Sequence, residues 1–261
     1  PNAGDRLARD LAFVGDLDGD GCDEVAVGAY LADHTAGNEG AVHVFKGFAG
    51  PSCPVEPTMA IVTPRDSNDQ AGTGVGGGGD VDGDGILDIA VGAPWYYGNG
   101  ASRGSVWLLS GSHVLSLPFE VLGSHSGTTY AMWDESDGDK EMWRVPGVAA
   151  SERLGQDVTI LPSDGVNPAL IVAGAPRGAG TGEEWSGGAK LFAWSGPPGS
   201  SGRLDANPAA AFSGEATRDG WSGYALWAGE VDGSIGLGIG GYRSDAQGLD
   251  QGAAWIVEMG Q

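Results

Sequence analysis

Four aspartates in Asp80-Val81-Asp82-Gly83-Asp84-Gly85-Ile86-Leu87-Asp88 stand at positions 1, 3, 5 and 9 of a nine-residue stretch. Alternate residues of a tight turn point at one centre, and carboxylates brought there repel one another unless a cation joins them. Hard oxygen donors suit a hard cation such as Ca²⁺, which takes about 6–8 oxygens. At position 7, Ile86 offers a backbone carbonyl, for which any side chain serves. Gly83 and Gly85 let the chain bend without a Cβ clash. The same stretch occurs earlier as Asp16-Leu17-Asp18-Gly19-Asp20-Gly21-Cys22-Asp23-Glu24, with a glutamate at position 9. Two Ca²⁺ sites are therefore expected. Asp16, Asp18, Asp20, Glu24 and the Cys22 carbonyl would form one, and Asp80, Asp82, Asp84, Asp88 and the Ile86 carbonyl the other. In both the metal is structural: it pins a turn and does not react.

Each loop runs straight into a small, β-branched apolar segment, Val25-Ala26-Val27-Gly28-Ala29 and Ile89-Ala90-Val91-Gly92-Ala93. Such segments read as buried strands. The loop and its Gly-Ala pair recur at one common offset, which marks a repeat architecture. Four repeats are expected, over about residues 6–62, 70–123, 153–212 and 220–260, with an insertion over about 112–150. The glycine-rich strand Gly74–Gly79 is weak alone and fits where several sheets converge. The third and fourth turns, Pro162–Asn167 and Glu230–Ser234, have lost the full acidic pattern and are not expected to bind metal. Asp134–Asp139 reads as a solvated acidic insertion.

The 49 glycines and 14 prolines sit at repeat-fixed turns between apolar strands, so the chain reads as turn-rich and all-β. Its net charge of −22, from 35 acidic and 13 basic residues, argues against nucleic acid as a partner. No apolar run is long enough to span a membrane, and no signal segment is visible. The two cysteines, Cys22 and Cys53, are either a disulfide or two thiols. A disulfide is the preferred reading if both lie at one end of a sheet, and with extracellular-type Ca²⁺ loops it suits a secreted, periplasmic or cell-surface setting.

Each unit is a strand, an acidic hairpin, a strand ending in Gly-Ala-Pro or a variant, a polar connection and a Gly-x-Val-x-aromatic-type strand. This resembles the FG-GAP repeats of integrin alpha-subunit β-propellers and of related secreted bacterial proteins. The "GAP" element is Gly92-Ala93-Pro94 and Gly174-Ala175-Pro176, with Gly28-Ala29-Tyr30 and Gly240-Gly241-Tyr242 as variants. The "FG" element is Leu7-Ala8, Ala71-Gly72, Leu154-Gly155 and Trp221-Ser222. The resemblance implies four-stranded blades around an axis, with Ca²⁺ between the first and second strands. Since propellers of this family have seven blades, the four repeats are expected to be part of a larger ring.

The function expected on this basis is an extracellular, non-catalytic, Ca²⁺-binding propeller for protein interaction or adhesion. Its binding face would be built from the connections between second and third strands. Those connections and their surroundings carry Tyr30, Trp95, Tyr96, Tyr97, Arg103, Arg177, Trp185, Tyr242 and Arg243, of the residue types enriched at hot spots. The alternatives are a carbohydrate-binding propeller, for which Trp95-Tyr96-Tyr97 would stack on sugar rings, or the propeller of a secreted hydrolase or lyase. None of His34, His43, His113 and His125 has metal-ligand spacing or an accompanying nucleophile motif, so the chain is not expected to be an enzyme.

Overall fold

The computed structural model describes residues 4–33, 37–49, 53, 58–64, 68–98, 100–117, 119–121, 131–133, 142–178, 187–198, 203–213, 222–231, 234–241 and 252–258. Their regular structure is almost wholly β, and its sheets are antiparallel except where Ala131–Trp133 joins Thr58–Pro64. The first sheet is β1 (Leu7–Gly15), β2 (Asp23–Ala29), β3 (Ala41–Ala49) and β4 (Thr58–Pro64), paired in chain order. The second begins with β5 (Gly74–Gly79) and β6 (Asp88–Ala93). A short hairpin, β7 (Tyr97–Gly98) and β8 (Ala101–Ser102), then precedes β9 (Ser105–Leu109) and the one-and-a-half-turn helix α1 (Gly111–Ser116). Two short strands from the expected insertion, β10 (Glu120–Val121) and β11 (Ala131–Trp133), do not stay with this sheet and pair instead with β4.

The fourth strand of the second sheet is β12 (Met142–Pro146), which pairs with β9 throughout. The second unit thus runs past the boundary expected near residue 123, with the insertion lying between its third and fourth strands. The third sheet is β13 (Val158–Leu161), β14 (Leu170–Gly174) and β15 (Gly188–Phe192), then, after the small pair β16 (Trp194–Ser195) and β17 (Arg203–Leu204), β18 (Ala210–Ser213). The fourth has three strands, β19 (Ser222–Val231), β20 (Ser234–Gly241) and β21 (Ala253–Glu258).

The sheets stack face to face as consecutive blades. Inner strand packs on inner strand: β1 on β5, β5 on β13, β13 on β19, with no packing of comparable extent joining β19 back to β1. Interior strands are covered on both faces, which explains their small and β-branched composition; β6 and β9 are buried at every position. One apolar core between the first two sheets holds Val14, Val42, Val44, Val75 and Val91, and another between the second and third holds Val106, Leu108, Val158, Ile160 and Ile171.

The two halves of the repeat signature meet at these seams. A Cβ on Gly92 would lie 2.8 Å from the Gly155 carbonyl carbon, and one on Gly174 2.9 Å from that of Gly223. Gly28 stands against Gly72 in the same way. The second glycine of each pair has a positive φ, 81°, 86° and 79° for Gly72, Gly155 and Gly223, and the N–H groups of Gly72 and Gly155 return to the carbonyls of Gly92 and Gly174. The "GAP" glycine of one blade therefore touches the "FG" glycine of the next, backbone to backbone. This geometry corrects the fourth "FG" pair: it is Ser222-Gly223, with Ser222 bridged to Gly187 as Leu154 is to Gly104, and not Trp221-Ser222.

Candidate metal sites and binding face

In the first acidic loop, carboxylate oxygens of Asp16, Asp18 and Glu24 lie within 4.8 Å of one another; in the second, those of Asp80, Asp82 and Asp88 do. The two loops fold alike because each aspartate also holds the turn. Asp16 accepts from the N–H groups of Gly19 and Gly21, and Asp80 from those of Gly83 and Gly85. Asp20 and Asp84 stand outside the tight groups; each accepts the N–H two residues on, from Cys22 and Ile86, at 2.8 Å. Position 9 ties the loop ends. Glu24 Oε2 accepts from Leu17, and Asp88 accepts from Val81, Asp82 and, across the blade, Gly111 at the start of α1.

The donor set fits a divalent cation. Each loop leaves one fully buried carboxylate oxygen with no hydrogen-bond donor, Glu24 Oε1 in the first and Asp82 Oδ2 in the second. Burying a charge without a partner is costly, and charged groups respond by holding a proton. Burial, reinforced by neighbouring aspartates, pushes the Glu24 and Asp82 carboxyls above their ordinary values, and burial pushes Asp88 up to about 7 despite its backbone donors. A cation would reverse all three shifts.

The loops differ in one respect. Lys46 on β3 places its Nζ 2.8 Å from Asp18 Oδ2, and this hydrogen bond holds Asp18 below the usual carboxylate range. At the equivalent place in the second blade stands Ser110, which is buried and shares a hydrogen bond with Ser112 at 2.7 Å. The first loop thus carries a cation of its own. It is also bound by a disulfide: Cys22 is joined to Cys53, with a Cα separation of 5.7 Å. The two cysteines are 31 residues apart, and closing a loop of that length stabilises the fold by roughly 3–4 kcal/mol.

The third turn keeps a loop shape with one carboxylate, Asp164, which accepts from Val166 and Asn167. In the fourth, β19 and β20 are joined across Val231 and Ser234, leaving two residues between the strands. Asp134–Asp139 lies outside the described residues.

Because the sheets are antiparallel, the connections after β2, β6 and β14 emerge at the opposite end from the acidic loops. Tyr30 accepts a hydrogen bond from Arg6 at 2.6 Å. Trp95 and Tyr97 are exposed, by 41% and 66%. Tyr96 is half-buried beneath Arg144, whose guanidinium carbon lies 4.0 Å from its ring centre. Arg103 donates to the Val148 carbonyl. Arg177 is half-buried, and its N–H donates to the Glu152 carbonyl at 3.2 Å. Trp185, Tyr242 and Arg243 lie outside the described residues. Of the histidines, His43 is fully buried on β3.

Sequence reasoning missed several residues. Arg153 stacks 3.9 Å from the Trp95 ring centre. The buried acids Asp5, Asp69 and Glu152 occupy one repeat position, three before each "FG" glycine or its equivalent; that recurrence was the available signal. Asp10 and Asp157 are stitches between blades. Asp10 accepts the N–H of Val75, and Asp157 that of Leu226.

Repeated four-stranded blades with an acidic first hairpin and a glycine seam define a propeller-type repeat protein. The family model described as FG-GAP repeat matches residues 9–45 and 71–109. The chain is 41% identical over 99 residues to integrin alpha pat-2 of Caenorhabditis briggsae, covering 37% of this chain and 8% of that protein. It is 33% identical over 110 residues to mouse integrin alpha-3, covering 42% and 10%, and 35% identical over 118 residues to human integrin alpha-IIb, covering 42% and 11%. The alignments thus span about a tenth of the length of these relatives. The chain therefore carries FG-GAP repeats over those residues and is similar to integrin alpha subunits.

Proposed function

We propose that this chain is a Ca²⁺-stabilised, non-catalytic part of an extracellular propeller that recognises a protein partner through the end opposite its acidic loops. The observation that carries the metal half of this reading is the pair of buried, donorless carboxylate oxygens, Glu24 Oε1 and Asp82 Oδ2, in repeat-equivalent loops. Asp16, Asp18, Asp20, Glu24 and the Cys22 carbonyl would hold one ion. Asp80, Asp82, Asp84, Asp88 and the Ile86 carbonyl would hold the other. Bound Ca²⁺ supplies charge neutralisation. The residues of the chain do the rest: they fix the turn that sets β1 against β2 and β5 against β6, and so the direction in which each blade presents its opposite end.

The partner half is supported by the integrin alpha relatives and by exposed aromatics with arginines on that end. A glycan reading is less well supported, because one face of Trp95 is already taken by Arg153.

The experiment is a thermal melt in millimolar Ca²⁺ and in chelator, on the wild type and Asp82→Asn. At 100 times Kd each site adds about 2.7 kcal/mol. Asp82→Asn keeps the acceptor for the Asp84 N–H and removes the charge, so it should lower stability in Ca²⁺ and leave it unchanged or raised in chelator. Equal loss in both media would assign the aspartates to turn hydrogen bonds alone.

A further inference from the structure

We propose that the seam between the third and fourth blades holds a pocket for one tyrosine side chain of a protein partner, with the Ser222 hydroxyl as its hydrogen-bonding floor. This rests on the protein-recognition reading above and adds the side chain recognised.

The repeat shows why a space opens here. Between the second and third blades the residue before the seam glycine is Leu154, fully buried among Val106, Leu108 and Phe192. Between the third and fourth it is Ser222, bridged to Gly187 as Leu154 is to Gly104 but much smaller. A cavity of about 120 Å³ remains, lined by Gly188 and Phe212 of the third blade and by Ser222, Ile239, Trp255 and Val257 of the fourth. Its mouth is open for a second reason. Trp255 pairs with Ile239 as Trp107 pairs with Val91. Trp107 is buried, with Arg144 of the fourth strand β12 over its ring at 4.8 Å. Trp255 is only half-buried, and among the described residues no fourth strand pairs with β21. Ser222 and Gly188 begin β19 and β15, at the end of the blades opposite the acidic loops, so the cavity belongs to the proposed recognition end.

The lining selects its occupant. Ser222 is 2% exposed, and its Oγ meets no hydrogen-bond partner among the described residues. A buried hydroxyl left that way costs free energy. An aliphatic occupant would leave it so. A charged one would lose its own hydration against Phe212, Ile239, Trp255 and Val257. An aromatic ring that ends in a hydroxyl meets both demands: the ring packs on Phe212 and Trp255, and its hydroxyl pairs with Ser222 Oγ, which can donate or accept. The size agrees, since a closed apolar cavity of about 150 Å³ takes benzene and this one is open at its mouth. In a protein that ring is tyrosine, a residue enriched at interfaces.

The test follows amide and indole shifts by NMR in millimolar Ca²⁺ as probes are added: p-cresol and toluene, which are the side chains of tyrosine and phenylalanine, a tyrosine-centred glycine pentapeptide, and methyl β-glucoside. p-Cresol should shift the Trp255 indole and the Ser222 and Gly188 amides saturably, and the pentapeptide should do the same. Toluene should bind about threefold or more weaker, for want of one neutral hydrogen bond. Ser222→Ala, which needs no extra room, should bring p-cresol down to the toluene value. Ser222→Leu, which copies Leu154, should abolish binding of both and melt no lower than the wild type. p-Cresol binding that survives Ser222→Leu, or that equals toluene binding in the wild type, overturns the proposal. Binding of p-cresol without the pentapeptide also overturns it, since the pocket would then take free phenols only. If the glucoside alone binds, the proposal and the protein-recognition reading fall together. If no probe binds, the pocket falls and the protein-recognition reading stands on the relatives and the exposed aromatics.

Discussion

Gly92→Ala is the sharpest test of the seam between blades. Gly92 lies on β6 with an ordinary strand φ, so its own backbone accepts alanine. In an exposed strand the change would gain roughly 0.5–1 kcal/mol by restricting the unfolded chain. Here the new methyl would lie 2.8 Å from the Gly155 carbonyl carbon and 3.0 Å from its Cα. Both are backbone atoms that no rotamer change can move. Ordinary contact needs about 3.4 Å or more, so the second and third blades must part by at least half an ångström. A gap of that size forfeits about a quarter of each dispersion well across it. The facing core includes Val106, Leu108, Leu154, Val158, Ile160 and Ile171, each worth about 2 kcal/mol buried. The expected loss is about 3 kcal/mol, or roughly 6–12 °C in Tm for a chain of this size. The control is Gly165→Ala. That glycine has φ 83° with nothing within 4 Å of its Cβ position, so it carries backbone strain alone, about 1 kcal/mol net. Urea unfolding of the two variants in Ca²⁺ decides the matter. A Gly92→Ala loss no larger than that of Gly165→Ala would refute the seam argument.

Three further outcomes follow from named contacts. Lys46→Ser, which copies the second loop, should raise the affinity of the first loop for Ca²⁺ by freeing Asp18; calorimetry that gives the two loops unchanged, unequal affinities would assign the difference elsewhere. Asp157, buried beside Asp10, has its carboxyl pushed up to about 7, from an ordinary 3.8. The folded state therefore holds an extra proton between those values, so this stabilisation is full below about pH 4 and is lost as pH rises through 7. Asp157→Asn should remove up to about 1.4 kcal/mol per pH unit of slope in that window, measured in chelator against wild type; parallel pH profiles would exclude Asp157 as the source. Ala8 has φ 65° at the place where the later repeats have glycine, and Ala8→Gly should stabilise by about 1 kcal/mol, a gain that denaturation would miss only if β1 frays before the rest unfolds.

The acidic loops and the strands beside them were legible because spacing determines both. A carboxylate at alternate positions faces one centre wherever the turn is tight, and the strand after it must be buried because it runs between two blades. Gly74–Gly79 and Ser105–Leu109 form strands within those same bounds. The role of the glycines was not legible. Sequence shows that Gly92 and Gly155 recur, but only the packed structure shows that they press on each other across a seam. β12 was missed because the insertion separates it from β9, although Trp143 and Val145 alternate with Met142, Arg144 and Pro146 as a strand does. Arg153 escaped notice because its partner, Trp95, belongs to the preceding repeat; a reading made one repeat at a time has no means of pairing them.

The same one-dimensional logic governs the ends of the stack. Val75 and Val158 point back into the core shared with the preceding blade. Leu11 holds their repeat position on β1, yet it is 52% exposed, and Phe13 beside it is 63% exposed. On the fourth sheet Trp227 and Ile256 are 48% and 79% exposed, while Val172 and Leu191 of the third are buried against it. In a stack where each unit touches only its neighbours, stability is a sum of units and seams. The three described seams, each with a glycine contact and an apolar core, hold the middle blades on both sides. Among the described residues the second and third blades, which carry Trp95 and Arg153, are thus the ones packed on both faces within this chain.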